Sequence, residues 1–182
     1  MGKRESLKDL QTRLADRLQL ARSSGVSLAW LAVTAGGANY LLPLRQSGEI
    51  LPLARLQKVP RTQPWFSGVI NIRGSLFGTV DLGLFLTHAL GAEGGAPPEA
   101  YRAEDEHSSV VTLNPMLEVN CALQVSRLNG LRAVESFGSS VPPDDGMPGY
   151  FGSRFLDLEG ERWQEIDLQT LSQSPQFLNI SA

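Results

Sequence analysis

Cysteine and histidine are scarce. The chain holds one cysteine, Cys121, and two histidines, His88 and His107. A single thiol excludes an intrachain disulfide and fits a reducing compartment. The histidines lie on separate segments, neither beside a set of further ligands, so no metal site is expected. Long apolar runs are missing as well. None approaches the roughly 20 residues that cross a bilayer, and the polar, charged start of the chain does not read as a secretory leader. An excess of one charge is also lacking. Sixteen Lys+Arg against nineteen Asp+Glu give a formal net charge of −3, which provides no basic footprint for nucleic acid or anionic lipid. No Gly-x-Ser-x-Gly elbow, phosphate-cradling glycine loop or Gly-x-Gly-x-x-Gly turn follows a strand pattern. No cofactor is expected, and an enzyme is the least favoured class.

Hydrophobic residues make up 42% of the 182 residues and charged residues 19%, a balance that allows a buried core. Residues 5–22 place Leu7, Leu10, Leu14, Leu18 and Ala21 on one helical face. They predict a helical extension over residues 1–26, broken by Ser23-Ser24-Gly25. From Ser27 onward the period changes to short strand-length runs separated by turn residues. Thr34 to Asn39 reads as a hairpin loop, and Pro43 and Pro52 as strand ends, edges or bulges. A short helical or coiled element follows Asp81. Gly91 to His107 lacks apolar periodicity, is rich in Gly, Pro and acidic residues, and reads as a mobile loop. In "LEVNCALQV", Leu117, Val119, Cys121, Leu123 and Val125 alternate, which predicts a half-buried strand with an inert inward thiol.

A weak internal repeat organises the rest. Val59-Pro60 matches Val141-Pro142, Trp65-Phe66 matches Tyr150-Phe151, and Arg73-Gly74 matches Glu159-Gly160. Gly74 is followed after seven residues by Asp81, and Gly160 after seven by Asp167; leucine follows both aspartates. Each unit reads as a Pro-bounded loop, an aromatic pair, a strand, a two-residue turn ending in Gly, and a strand closed by Asp-Leu. The glycines supply positive φ at the turns. The aspartates suit backbone capping, and a cap at Asp81 is favoured over a phosphoacceptor. Glu165 and Asp167 would share a strand face, which is weak ground for acid–base chemistry. Two related small β-barrels follow from this pattern, one over about residues 27–90 and the other over about 108–182. Trp30, Trp65 and Trp163 suit cores or barrel ends, with Trp65, beside Pro64, also a candidate interface anchor. One residue fits no core role: Arg73, the single cation in "SGVINIRGSLFGTVDL".

The stretch "VPRTQPWFSGVINIRGSLFGTVDL" resembles the signature of CheW-like proteins, the coupling adaptors of bacterial chemosensory systems. Gly68, Val69, Asn71, Arg73, Gly74 and Asp81 meet that signature. The likeness extends over residues 28–172. Gln63-Pro64-Trp65 and the N-terminal extension resemble the branch serving type IV pilus, or twitching, systems. The resemblance implies a mainly β fold of two SH3-like five-stranded β-barrels with a groove between them. It also implies a non-catalytic cytoplasmic scaffold. Its partners would be the regulatory domain of a CheA-like histidine kinase and the cytoplasmic tip of a methyl-accepting chemoreceptor. Arg73 would bind a partner. Glu49, on a neighbouring strand, would either hold the guanidinium or touch the partner itself. Asn71 and Trp65 complete the expected binding set, while Gly68, Gly74, Asp81, Gly160 and Asp167 form the structural motif. The competing function is a regulatory domain that reads a small molecule in the inter-barrel groove.

Composition alone generates one test. Gly91 to His107 offers little apolar surface against a backbone ordering cost of about 1–2 kcal/mol per residue. Limited proteolysis is expected to cut there first. Initial cleavage within Val110–Val125 would contradict the reading.

Overall fold

The computed structural model describes residues 29–91 and 108–182. The expected helix over residues 5–22 and nearly all of the expected mobile loop lie outside the described residues. In chain order the elements are β1 (Ala29–Ala35), β2 (Ala38–Pro43), β3 (Ser47–Pro52), β4 (Phe66–Ile72), β5 (Ser75–Asp81) and α1 (Leu82–Ala89). Then come β6 (Ser109–Leu113), β7 (Cys121–Val125), β8 (Arg127–Ala133), β9 (Phe137–Val141), β10 (Phe151–Asp157), β11 (Arg162–Ile166), α2 (Leu168–Gln173) and α3 (Pro175–Leu178). The described chain is mainly β, as expected. Pro43 and Pro52 each close a strand.

The strands form a five-stranded sheet, β3-β6-β7-β5-β4, and a six-stranded sheet, β8-β1-β2-β11-β10-β9. Neither sheet is confined to one half of the sequence, which corrects the expected division at residues 90 and 108. The β1–β2 hairpin pairs with β8 and β11 of the second half, and β6–β7 pairs with β3 and β5 of the first. Burial gives the reason. Trp30, Leu31, Ala32 and Val33 are all buried, so β1 needs cover on both faces and cannot sit at the rim of a small separate barrel.

Side-chain alternation divides the apolar residues among three cores. Trp30, Ala32, Leu41 and Trp163 lie together on one face of the six-stranded sheet, against Phe137 and Phe155. Ile70, Ile72, Val110 and Ala122 fill the five-stranded barrel with Phe77. The largest core unites both sheets with the helices: Leu31, Val33 and Leu42 meet Leu123, Val125, Phe85, Leu171 and Phe177. Each large apolar side chain buried there contributes about 1.5–3 kcal/mol before entropy is counted. Strand β7 begins at Cys121 rather than Leu117, because Pro115–Leu117 forms a short 3-10 turn and Glu118 is left-handed at φ 57°. All five residues of β7 are buried, so it is covered on both faces rather than half-buried. Burial pushes the Cys121 thiol up to about 12, leaving it uncharged and unreactive at neutral pH.

The repeat holds at the level of single hydrogen bonds. Phe66 N–H donates to Gln63 O and Phe151 N–H to Pro148 O, both at 2.9 Å. Asp81 N–H donates to Trp65 O and Asp167 N–H to Tyr150 O, both at 2.8 Å. Asp81 Oδ1 caps α1 by accepting from Leu84 N–H at 2.9 Å, and Asp167 Oδ1 caps α2 by accepting from Thr170 N–H at 2.7 Å. The turns differ, however. Arg73-Gly74 is a two-residue turn, with Ile72 opposite Ser75. In the second unit the loop is Leu158-Glu159-Gly160, closed by Asp157 N–H to Glu161 O at 3.0 Å. The Asp157 carboxylate organises this longer loop by accepting from the Glu159 and Glu161 N–H groups.

Strands β3 and β4 are the two edges of the five-stranded sheet. The sheet closes because the segment after β3 returns to β4: Gln57 and Val69 exchange both backbone hydrogen bonds, at 2.9 and 2.8 Å. Gly68 permits this approach. Its φ is +134°, and a Cβ there would overlap the Gln57 carbonyl. Gly68→Ala is therefore expected to open the seam and to destabilise the protein by about 2 kcal/mol or more. Thermal unfolding checks this; an unchanged Tm would show that the seam contributes little.

Candidate partner-binding site

The β4–β5 hairpin carries the exposed arginine. A type I′ two-residue turn, which matches strand twist, needs positive φ at both central positions. Gly74 provides φ 89° and Arg73 is held at φ 51°. An arginine in the left-handed region is disfavoured by roughly 1–2 kcal/mol. Asn71 offsets part of that cost, since its Oδ1 accepts the Gly74 N–H at 2.9 Å. Asn71 thus latches the turn from within the hairpin, while its side chain stays exposed beside Arg73.

Glu49 reaches the same point from the opposite edge of the sheet. The β3–β6 register shifts between Ser47 and Ile50, and such a bulge re-aims side chains. Gly48 presses against Thr112 so closely that a Cβ would overlap the threonine hydroxyl. Glu49 N–H donates to that hydroxyl at 2.7 Å. The Glu49 side chain is left outward, and its Oε2 lies 3.0 Å from an Arg73 guanidinium nitrogen. The side chains are 77% and 46% exposed, arginine first. An ion pair so open to water is worth about 0–1 kcal/mol to the fold. It orients the guanidinium more than it stabilises the barrel.

Leu76 adds an apolar component that sequence reasoning missed. It pairs with Asn71 across the hairpin and is 64% exposed. Phe77 faces the barrel interior and Val80 the shared core. Leu76 lies on the Val80 face of β5 but beyond the reach of the shared core. The alternation of β5 carries that signal once the length of the helical cover is known.

The other expected site residues lie elsewhere. Trp65 is only 2% exposed, which corrects its assignment as an interface anchor. Its ring packs edge-on against Phe85 at 5.1 Å and parallel to Phe177 at 6.4 Å. Gly160 and Asp167 belong to the second repeat. Burial works against the Asp167 carboxylate, but hydrogen bonds from Thr170 and from Gln46 Nε2 hold it below its usual range. Burial likewise opposes Asp157, which Trp163 Nε1–H, the backbone of Glu161 and Glu159, and the Arg132 charge hold low. Both carboxylates thus stabilise the fold while ionised and lose that contribution as pH falls through their depressed values. Glu165 and Asp167 do not work as a pair: Glu165 Oε1 accepts from Trp30 Nε1–H at 2.7 Å, while Asp167 is a cap.

Among the described residues no three His, Cys, Asp or Glu side chains gather as a metal set, and no helix is long and apolar enough to cross a membrane. The core between the sheets is filled by Trp65, Phe85, Tyr150, Phe151 and Phe177. A surface cleft of about 500 Å³ lies instead beside the five-stranded barrel. It is lined by residues between Leu53 and Ser67 with Asp81, Leu84 and Gln124. No strand of the six-stranded sheet contributes to it, so it is not an inter-barrel groove.

A family model described as the CheW-like domain matches residues 29–176. The chain belongs to the CheW-like family. Protein PilI of Pseudomonas aeruginosa is 26% identical over 171 residues, covering 93% of this chain and 89% of that protein. The crystal structure of the scaffolding protein TtCheW from Thermoanaerobacter tengcongensis superposes with a TM-score of 0.56 at 16% identity. That match covers 76% of this chain and 88% of the other. In this CheW-like chain the Arg73 hairpin stands on the five-stranded barrel.

The strain at Arg73 is directly measurable. Arg73→Gly removes the left-handed penalty and a weak ion pair, so Tm is expected to stay level or rise by up to about 2–4 °C. A clear fall would mean that the pairing with Glu49 stabilises the fold by more than the backbone strain costs.

Proposed function

We propose that this CheW-like protein is a non-catalytic adaptor coupling a methyl-accepting chemoreceptor to a CheA-like histidine kinase. We further infer that the pathway controls type IV pilus motility and that the protein works in the cytoplasm, at the periphery of receptor arrays. Family membership over residues 29–176 supports the adaptor class. The relationship to PilI along 93% of the chain supports the pilus branch.

The observation that carries the reading is the Arg73–Glu49 pair. A strained, always-charged fork is held at a hairpin tip, where it does little for stability. Local strain that persists without a folding benefit is characteristic of functional positions. A planar guanidinium with open donors suits carboxylates or backbone carbonyls of a partner, and exposed Leu76 beside the hairpin supplies apolar area. The partner contacted here is the regulatory domain of the kinase. Glu49 orients Arg73 in the free protein.

Arg73→Glu is expected to leave the circular dichroism spectrum unchanged. It should weaken binding to the kinase regulatory domain by about 2–5 kcal/mol, because an attraction is replaced by a repulsion. Calorimetric titration decides the matter. Unchanged affinity would return Arg73 to the role of a solvated turn residue and remove the residue-level support for the adaptor mechanism.

A further inference from the structure

The cleft beside the five-stranded barrel is a second feature that the Arg73 hairpin does not use. One wall is the segment after β3, which carries Arg55 and Lys58 into the lining and Arg61 just beyond it. All three are exposed, and among the described residues none forms an ion pair. Three cations within seven positions thus have no carboxylate partner among the described residues, on a chain whose formal net charge is −3. The rest of the lining sets apolar Leu56, Val59, Phe66 and Leu84 beside polar Gln63, Ser67 and Gln124 and the Asp81 carboxylate, which is buried and engaged in capping α1.

This wall is fixed, not loose. Gln57 is bonded to β4. Downstream, Gln63 N–H donates to Ile180 O at 2.8 Å, Gln63 Nε2–H to Ser181 O at 2.7 Å, and Ala182 N–H to Arg61 O at 3.2 Å. Arg61 itself is left-handed, at φ 60°. A segment tied at both ends presents its charges without a backbone ordering cost at the moment of binding. On the far side, Ser67 Oγ–H donates to Gln124 Oε1 at 3.0 Å, which adds a polar floor.

We propose that this cleft is a docking site for a short acidic segment of a partner protein, one that places an apolar side chain between flanking carboxylates. The apolar lining would take the side chain, and Arg55, Lys58 and Arg61 would pair with the carboxylates. Charge complementarity selects this occupant. A nucleic acid would meet too few cations and a net-negative chain, so it would gain little from phosphate neutralisation. A membrane needs apolar side chains that protrude into it, and here they line a recess. The site is separate from the Arg73–Glu49 pair and does not rest on the adaptor reading.

The test uses the full chain and a fluorescein-labelled peptide with two leucines set among glutamates. Anisotropy should show saturable binding that weakens as salt is raised. The double variant Arg55→Glu, Lys58→Glu should lower affinity by about tenfold or more. Arg73→Glu and Arg127→Glu should leave it unchanged, which separates this site from the hairpin and from general charge. Backbone amide shifts on titration should map to Leu53–Gln63, Ser67 and Leu84. The proposal fails if the peptide does not bind, or if a leucine-free glutamate peptide binds equally well. It also fails if the shifts map elsewhere, or if phosphatidylserine vesicles bind the chain more strongly than the peptide and with the same dependence on Arg55 and Lys58.

Discussion

The closure of the five-stranded sheet is the constraint on which the rest of the site depends. Strands β3 and β4 are its opposite edges, and the Gln57–Val69 bonds bring them round to one another. Gly68 is the residue that lets the backbones approach. Without that seam, Glu49 and Arg73 would stand on opposite margins of an open sheet. With it, two residues far apart in pairing order meet at 3.0 Å. The seam also removes two exposed edges that would otherwise invite non-specific strand pairing. It anchors the cationic wall of the neighbouring cleft as well.

The second constraint is the exchange of strands between the halves of the chain. Each repeated hairpin, β4–β5 and β10–β11, adds one strand in parallel to a hairpin strand from another part of the sequence. The two units therefore share one core. Asp81 and Asp167 stop the repeated strands and start the helices that roof this core. Trp65 and Tyr150 occupy equivalent places at the other end of each unit, where their carbonyls receive the Asp81 and Asp167 amides. The aromatic pairs are therefore buried by construction, which is why Trp65 is a core residue.

Much of this was legible in the residues. The Gly74–Asp81 and Gly160–Asp167 spacing predicted the repeat, the Arg73-Gly74 turn and the caps because each rests on local chemistry. The hairpin position of Arg73 was legible for the same reason. What escaped was long-range. Alternating strands do not state which strand they will pair with, so the sheets were wrongly divided at the acidic stretch. Pro64 beside Trp65 suggests a surface loop, but burial there depends on Phe85 and Phe177 arriving from elsewhere. Leu117 and Val119 continued an alternation that Pro115 and Glu118 interrupt in space. The exposure of Leu76 depends on how far the helical roof extends, which no local pattern reports.

The central claim is that the closed barrel presents Arg73 to a partner, with Glu49 orienting it. Hydrogen–deuterium exchange of the chain with and without the kinase regulatory domain tests this most directly. The account predicts new protection concentrated in residues 47–51 and 70–77, across the seam and its hairpin, with little change in β9 and β10. Protection confined to β9 and β10, with residues 70–77 exchanging as in the free protein, would contradict it.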